Sequence, residues 1–222
     1  GEIRLKKALA DSKIAATVRL GRKIGLKKVR NMAKRFGFSM PTTRTLPREL
    51  MGTESVSLSE LVRAFSAFAA QGDSPTKMVW VTRIERGDGT TVYPKDDEPI
   101  VVNQKSVLHP ATTYLTHTML ESALKEGSGK RGFEKSGLTD FQGGGKSGTT
   151  SDFADNWFVG YNKDVTCGVW AGFWDGSREE IYPGAFSVDT VMPVWAGAMK
   201  IYEEKYQPGD LDQPEDVLSI EI

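Results

Sequence analysis

The residues most suited to chemistry lie in a glycine-rich stretch, residues 143–150, which reads GGGKSGTT. The ammonium of Lys146 would attract a carboxylate and bias nearby proton transfers. The neighbouring hydroxyl of Ser147 can donate a hydrogen bond to the same carboxylate. Gly148 would let a substrate backbone lie close against a strand, and the next backbone amide can point at a developing oxyanion. These groups together could bind a substrate that carries a carboxylate.

A nucleotide-binding loop is the alternative interpretation, since the phosphate-binding pattern GxxxxGK[ST] looks similar. That pattern needs glycine at position 140, where the sequence has Asp140, and it must open a helix. Residues 155–161 instead alternate in polarity like a strand. A second glycine pattern, GSGKRG at residues 127–132, follows a helix rather than a strand, so it does not indicate a dinucleotide site.

Two antiparallel strands joined by a tight turn are predicted directly after the glycine-rich stretch. Apolar residues alternate on each side of a turn at residues 162–164. These are Trp157, Val159 and Tyr161 before the turn, and Val165, Cys167, Val169, Ala171 and Phe173 after it. Among the tryptophans, Trp174 beside a predicted Asp-Gly turn is the one expected to be exposed.

Helices are predicted on both sides of these strands. One begins with a capping box of Ser57 and Glu60 and is stopped by Gly72. The others are a helix that ends at Gly37, a helix that opens at Pro110, and a helix within residues 187–202 that begins near Met192.

The remaining segments are predicted to be a hairpin, a connection and a tail. The hairpin joins residues 78–85 to residues 90–93 across a Gly-Asp-Gly turn. Residues 94–108 are polar and contain proline, which indicates a surface connection. The tail at residues 207–222 holds two prolines and five acidic residues, so we expect it to be loosely attached.

Composition excludes several classes of function. The chain has 222 residues with 39% hydrophobic and 26% charged residues, and its 29 basic and 29 acidic residues give zero formal charge. This balance argues against a nucleic-acid partner. No apolar run approaches the roughly 18 residues of a membrane span, and no signal peptide is visible. The single cysteine, Cys167, is expected to be a core residue. His109 and His117 lie near no ligand cluster, so neither a metal nor a cofactor is expected.

Several stretches of the sequence resemble the class A, bifunctional penicillin-binding proteins. Residues 145–176, GKSGTTSDFADNWFVGYNKDVTCGVWAGFWDG, are similar to the family pattern around its Lys-[Thr/Ser]-Gly motif. The other matching stretches are residues 8–29 around the Ser-x-Asn motif, 52–72, 78–93 and 191–200. The turn at residues 127–129 resembles a Gly-Thr-Gly turn near the family's substrate cleft. The likeness covers roughly residues 5–204, which is nearly the whole chain.

The resemblance implies an α/β fold of the α+β type, like that of penicillin-binding proteins and β-lactamases. A five-stranded antiparallel sheet flanked by helices would adjoin a helical subdomain, with the active site between them. Residues 1–206 would be the C-terminal portion of the transpeptidase domain, N-terminally incomplete, and residues 207–222 a separate tail. The parent protein is expected to be extracytoplasmic and anchored to the bacterial inner membrane by an upstream helix.

The resemblance also implies an activity, cross-linking of peptidoglycan stem peptides through a serine acyl-enzyme, and binding of β-lactams. Stem peptides ending in D-Ala-D-Ala would be the substrates, and cell-wall synthesis proteins are candidate partners. The implied catalytic residues are Ser12, which would relay a proton to the departing amine, and Lys146, which would hold its hydroxyl. The implied substrate-binding residues are Ser147, Gly148, Thr149 and Thr150.

Two features depart from the family pattern. The nucleophilic serine of a Ser-x-x-Lys motif should precede Ser12, so we expect it to lie outside this chain. The internal matches at residues 74–77 and 122–125 come in the wrong order. In addition, Ile14 stands where the family has asparagine and cannot replace its hydrogen bonds. This leaves a degenerate, non-catalytic binding or scaffolding module as the alternative, with a β-lactamase as a third and less favoured interpretation.

Overall fold

The structure is a computed structural model that describes residues 2–39, 47–52, 54–95, 100–138 and 140–219. The helices are α1 (Leu5–Ala10), α2 (Ile14–Ile24), α3 (Leu26–Arg35), α4 (Leu58–Ala69), α5 (Pro110–Lys125), α6 (Lys130–Ser136), α7 (Ser187–Thr190) and α8 (Met192–Tyr206), with a 3-10 helix at Pro47–Met51. The strands are β1 (Asp73–Pro75), β2 (Ile84–Glu85), β3 (Thr91–Tyr93), β4 (Gln104–Ser106), β5 (Gly144–Thr149), β6 (Asn156–Tyr161) and β7 (Thr166–Ala171).

A three-stranded antiparallel sheet in the order β5-β6-β7 carries the glycine-rich stretch on its edge strand, β5. Lys146 pairs with Val159 in register, and Trp157 pairs with Trp170 on the next ladder. The hairpin predicted from alternating residues is confirmed. The middle strand, β6, is largely buried on both faces. Because β5 is hydrogen-bonded to β6, the position of β5 is fixed as well.

Helices cover both faces of this sheet. On one face, Trp195 of α8 is fully buried and packs on Phe158, with ring centroids 4.7 Å apart. On the other face, Phe68 of α4 stacks on Tyr161 at 6.0 Å. Burial of large aromatic side chains is the main source of stability for such layers. Helix α5 packs against both β5 and α1, so it connects the sheet to the N-terminal helices.

The predicted helix starts and stops are confirmed. Ser57 accepts a hydrogen bond from the Glu60 backbone while the Glu60 carboxylate accepts one from the Ser57 backbone, which completes the capping box. Pro110 occupies the first turn of α5. Gly37 has a φ of 91° after α3, a conformation that glycine adopts without strain. Met192 begins α8 after the short helix α7.

Three expectations about strands are corrected. The strand expected at residues 78–85 is limited to β2, which pairs with β3 in a short hairpin. Part of the connection at residues 94–108 is a strand, because β4 pairs with β1. The residues of β4 are polar and its partner strand is distant in sequence, so no alternation of apolar and polar residues marked β4 as a strand. Residues 96–99 of that connection lie outside the described residues. Finally, in place of one five-stranded sheet, the described residues form one sheet of three strands and two sheets of two strands each.

The tail, for which loose attachment is expected, makes several side-chain contacts with the rest of the chain. The carboxylate of Asp212 lies 3.0 Å from the Lys163 ammonium, and the Tyr114 hydroxyl donates to the Gln213 side chain at 3.2 Å. These are exposed polar contacts, each worth little alone. Residues 220–222 lie outside the described part. Among the helices the structure describes, none has the length and apolar character to cross a membrane.

Candidate active site

The centre of the candidate site is a contact between Lys146 and Ser12. The Lys146 Nζ donates to Ser12 Oγ at 2.6 Å, although the two residues are 134 positions apart. Ser12 lies between α1 and α2 with a φ of 54°, in the left-handed region that non-glycine residues rarely occupy. Such strain is typical of functional sites. The contact joins the helical part of the molecule to the edge strand of the sheet.

The Lys146 ammonium is held by neutral oxygens. Besides Ser12, it donates to the backbone carbonyl of Ser147 at 2.9 Å. Burial lowers the pKa of Lys146 from its usual 10.5 to about 8, and burial is the only cause of this change. Lys146 is half-buried, and within the described residues no carboxylate forms an ion pair with it, so its charge is poorly compensated. An incoming anion would therefore be bound favourably at this position.

Ser128 also belongs to this cluster, although it was not among the predicted site residues. Its Oγ lies 3.3 Å from both Ser12 Oγ and Ser147 Oγ, and 3.5 Å from Lys146 Nζ. The only signal in the sequence was the likeness of residues 127–129 to a turn near the family's cleft. The residue types alone, a single serine in a glycine-rich turn, do not predict a place in the site.

Backbone docking holds the Ser128 turn against the end of α1. The backbone N–H of Ser128 donates to the carbonyl of Ala10 at 2.8 Å. A Cβ on Gly127 would lie 2.2 Å from that same carbonyl oxygen. Glycine is thus required at position 127 by close backbone approach. The approach brings the Ser12 and Ser128 hydroxyls together.

The end of β5 is fixed by a second set of hydrogen bonds. The Thr149 hydroxyl accepts from the Ser187 backbone at 3.1 Å and lies 2.6 Å from Ser187 Oγ. Ser187 Oγ in turn donates to the carbonyl of Gly148. The Thr150 hydroxyl accepts from the backbone N–H groups of Ala154 and Asp155. Both threonine hydroxyls are thus engaged by the protein.

The predicted site residues therefore separate into two groups. Ser12, Lys146 and Ser147 are brought together with open hydrogen-bonding capacity. Gly148 is exposed beside them, and a Cβ added there would touch only Trp157 Cβ at an ordinary 3.6 Å. The protein itself does not need glycine at that position, so the space is free for a ligand. Within the described residues, no group of three His, Cys, Asp or Glu side chains could hold a metal ion.

Comparison with known proteins identifies the family of this chain. Residues 1–173 match the family described as "Penicillin binding protein transpeptidase domain". The chain belongs to the penicillin-binding protein transpeptidase family. Similar proteins include Penicillin-binding protein 1A of Neisseria gonorrhoeae, 28% identical over 221 residues, covering 99% of this chain and 27% of the relative. Penicillin-binding protein 1A of Aquifex aeolicus is 27% identical over 222 residues, covering 100% and 29%.

The fold is shared with a solved structure of the family. The crystal structure of Penicillin-Binding Protein 1A from Haemophilus influenzae superimposes with a TM-score of 0.83 at 20% identity, covering 96% of this chain and 36% of that one. This match supports the α+β fold expected from the sequence. The chain spans less than a third of the length of the curated relatives named above.

The internal Ser-x-x-Lys matches do not resemble the nucleophile motif of a penicillin-binding protein. Ser74 is fully buried and donates to the carbonyl of Arg63 at 3.3 Å. Ser122 is buried within α5, and the Lys125 ammonium donates to Glu121 at 2.9 Å. Both serines are thus buried, and the lysine of the second match is paired with a carboxylate.

Ile14, the other departure from the family pattern, lies at the first position of α2 and is 58% exposed. The side chain is therefore not packed into a cleft rebuilt around it. An asparagine at this position would keep its polar atoms in contact with solvent. The substitution removes hydrogen-bonding groups from the site without creating a new apolar core there.

Proposed function

We propose that this chain is part of a peptidoglycan DD-transpeptidase. The observation that carries the proposal is the 2.6 Å contact between Lys146 Nζ and Ser12 Oγ, with the Ser147 side chain in the same cluster. A lysine and hydroxyl groups suit the C-terminal carboxylate of a D-Ala-D-Ala stem peptide. β-Lactams, which carry an equivalent carboxylate, would bind in the same place.

The proposed reaction is acyl transfer through a serine ester. A serine oxygen attacks the carbonyl between the two D-alanines, and the C–N bond breaks. The Ser12 hydroxyl gives its proton to the departing amine and recovers one from Lys146, and the proton released by the attacking serine hydroxyl restores Lys146. The amine of a second stem peptide then attacks the ester, which forms the cross-linking amide and releases the serine. The backbone amide of Thr149 would stabilise the oxyanion.

We propose that the attacking serine lies outside residues 1–222. Support comes from the two internal candidates, since Ser74 and Ser122 are both buried. The test is labelling with a fluorescent penicillin followed by denaturing electrophoresis. The parent protein should give a covalent band that Lys146→Ala weakens strongly, and residues 1–222 alone should give none. A band from residues 1–222 that disappears on Ser122→Ala would refute this assignment.

A degenerate, non-catalytic module is the second candidate, and Ile14 is the observation that favours it. The family asparagine would contact both the catalytic lysine and the substrate amide, and isoleucine can do neither. A parent protein that binds stem peptides but never forms an acyl-enzyme would establish this function. Penicillin labelling and dipeptide binding, measured on the same preparation, separate the two candidates.

The cellular setting follows from the same proposal. Peptidoglycan lies outside the cytoplasm, so the site would face the extracytoplasmic space, with the parent protein anchored to the inner membrane by a segment upstream. Other cell-wall synthesis proteins would be its partners. Fractionation of cells that carry a tagged parent protein would test the location, and protease accessibility in spheroplasts would test which side of the membrane the domain faces.

A further inference from the structure

Three serine hydroxyls in the site form a chain that begins at a lysine. Lys146 Nζ contacts Ser12 Oγ at 2.6 Å, Ser12 contacts Ser128 at 3.3 Å, and Ser128 contacts Ser147 at 3.3 Å. The members come from the α1–α2 connection, the α5–α6 turn and the edge strand β5. Ser128 is the middle hydroxyl and the one without a role in the reaction described above.

The lysine gives this chain a direction. An ammonium can only donate, so Ser12 Oγ accepts from Lys146 and uses its single hydrogen to donate to Ser128. Ser128 can then use its own hydrogen to donate to Ser147 Oγ. Once Ser147 accepts from Ser128, the hydrogen of Ser147 is left for a group outside the chain. Hydrogen bonds in series polarise one another in the same sense.

We propose that Ser128 is a positioning residue that turns the Ser147 hydroxyl outwards as a donor to the carboxylate of the substrate. This inference rests on the proposed function and deepens it, because it names the group that selects a charged peptide end over a neutral one. The 3.3 Å contacts are long for hydroxyl pairs, and contacts of this kind tighten when a ligand binds.

The backbone around Ser128 supports a role for its hydroxyl beyond packing. The turn is anchored by the Ser128 N–H to the Ala10 carbonyl at 2.8 Å and by the close approach of Gly127 to that same group. Removal of the Ser128 side chain leaves both anchors in place. The Lys146–Ser12 contact also remains, and only the longer contact of Lys146 Nζ with Ser128 Oγ at 3.5 Å is lost with the side chain.

The test compares two ligands that differ only in the C-terminal group, the charged N-acetyl-D-Ala-D-Ala and its neutral C-terminal amide. Ligand-observed NMR titration of the full parent protein gives a Kd for each, and the ratio of the two measures selection for the carboxylate. Ser128→Ala should reduce this ratio about three- to tenfold, the loss expected for one hydrogen bond. Ser128→Thr, which keeps the hydroxyl, should preserve it, and Thr112→Ala on the exposed side of α5 is the matched control.

The outcomes are distinct. A wild-type ratio in Ser128→Ala overturns the inference, and so does an equal loss of affinity for acid and amide, which would indicate a structural role. If Ser128→Ala does not fold, the isosteric pair Ser128→Thr and Ser128→Val replaces it, and only the threonine variant should retain selection. A wild-type protein that binds neither ligand would overturn the proposed function itself, together with this inference.

Discussion

The Lys146 ammonium and the Ser12 hydroxyl lie 2.6 Å apart across the boundary between the helices and the sheet. Ser12 is held in a left-handed backbone conformation at the junction of two helices, and Lys146 is on an edge strand whose neighbour is buried on both faces. Each residue is thus positioned by a different part of the fold. Their contact depends on how those parts pack against each other.

Replacement of Lys146 should affect chemistry much more than stability. In the parent protein, Lys146→Met should slow acylation by penicillin by about 100- to 1000-fold, the usual cost of removing a positioned donor, or about 2.7–4 kcal/mol. The melting temperature should stay the same or rise, because a poorly compensated, half-buried charge is lost. Stopped-flow acylation and calorimetry measure the two effects, with Lys130→Met on the exposed side of α6 as control. Wild-type acylation by the Lys146 variant would remove this lysine from the mechanism.

Carboxylate binding should weaken as pH rises through about 8. Burial lowers the pKa of Lys146 to about 8, so the ammonium loses its charge there rather than near 10.5. The affinity for N-acetyl-D-Ala-D-Ala should therefore be lower at pH 9 than at pH 7, while the affinity for the amide changes little. Lys146→Met should abolish the difference between the two pH values. An unchanged acid affinity across this range would show that the lysine keeps its charge.

The same pKa predicts that stability rises with pH, whereas the affinity for the carboxylate falls. The folded pKa lies below the unfolded value, so between pH 8 and pH 10.5 the unfolded chain binds a proton that the folded chain does not. The contribution of Lys146 to the free energy of unfolding should therefore rise with pH across that window. Urea unfolding of wild type and Lys146→Met at several pH values isolates this contribution as the difference between the two curves.

Two glycines on β5 should respond differently to alanine. At Gly148 an added Cβ meets only Trp157 Cβ at 3.6 Å, whereas at Gly145 it would lie 2.9 Å from the Phe158 ring. Gly148→Ala should leave the melting temperature nearly unchanged and weaken ligand binding, because the methyl group occupies ligand space. Gly145→Ala should cost about 1–3 kcal/mol through overpacking. Unimpaired dipeptide binding by folded Gly148→Ala would place the ligand elsewhere.

Alanine at Gly127 should separate the Ser128 turn from α1. The new Cβ would lie 2.2 Å from the Ala10 carbonyl oxygen, and backbone atoms cannot move aside cheaply. We expect a lower melting temperature and loss of carboxylate selection together. Hydrogen exchange at the Ser128 amide, which donates to Ala10, reports the separation directly. Gly197→Ala in α8, where a Cβ meets nothing within 4 Å, is the control and should be neutral or slightly stabilising.

Asparagine at position 14 tests whether the site is active or degenerate. Ile14 is 58% exposed, so Ile14→Asn should leave the melting temperature nearly unchanged. If the parent protein is an active transpeptidase, the restored carboxamide should accelerate acylation roughly tenfold, since hydrogen bonds to charged groups contribute about 1.5–3 kcal/mol. Ile14→Ala is the control for loss of the side chain alone. No gain in rate would favour the non-catalytic module.

Local features of the fold could be predicted from the sequence because they depend on neighbours in the chain. The capping box of Ser57 and Glu60 spans four residues, and Pro110 needs only a free helix end. The alternation that defines β6 and β7 likewise extends over a few residues. Family motifs identified Ser12 and Lys146, since each motif is short and contiguous.

Only the tertiary structure decided what those residues contact. Ser128 reaches Ser12 across 116 positions, and Ser187 reaches Thr149 across 38. Apart from the likeness of residues 127–129 to a turn of the family, nothing in the sequence distinguishes these two serines from other serines. The lowered pKa of Lys146 also arises from burial, which depends on what packs around the lysine in three dimensions. Sequence determined which chemical groups are present, and packing determined which of them meet, because hydrogen bonds and desolvation depend on distance in space.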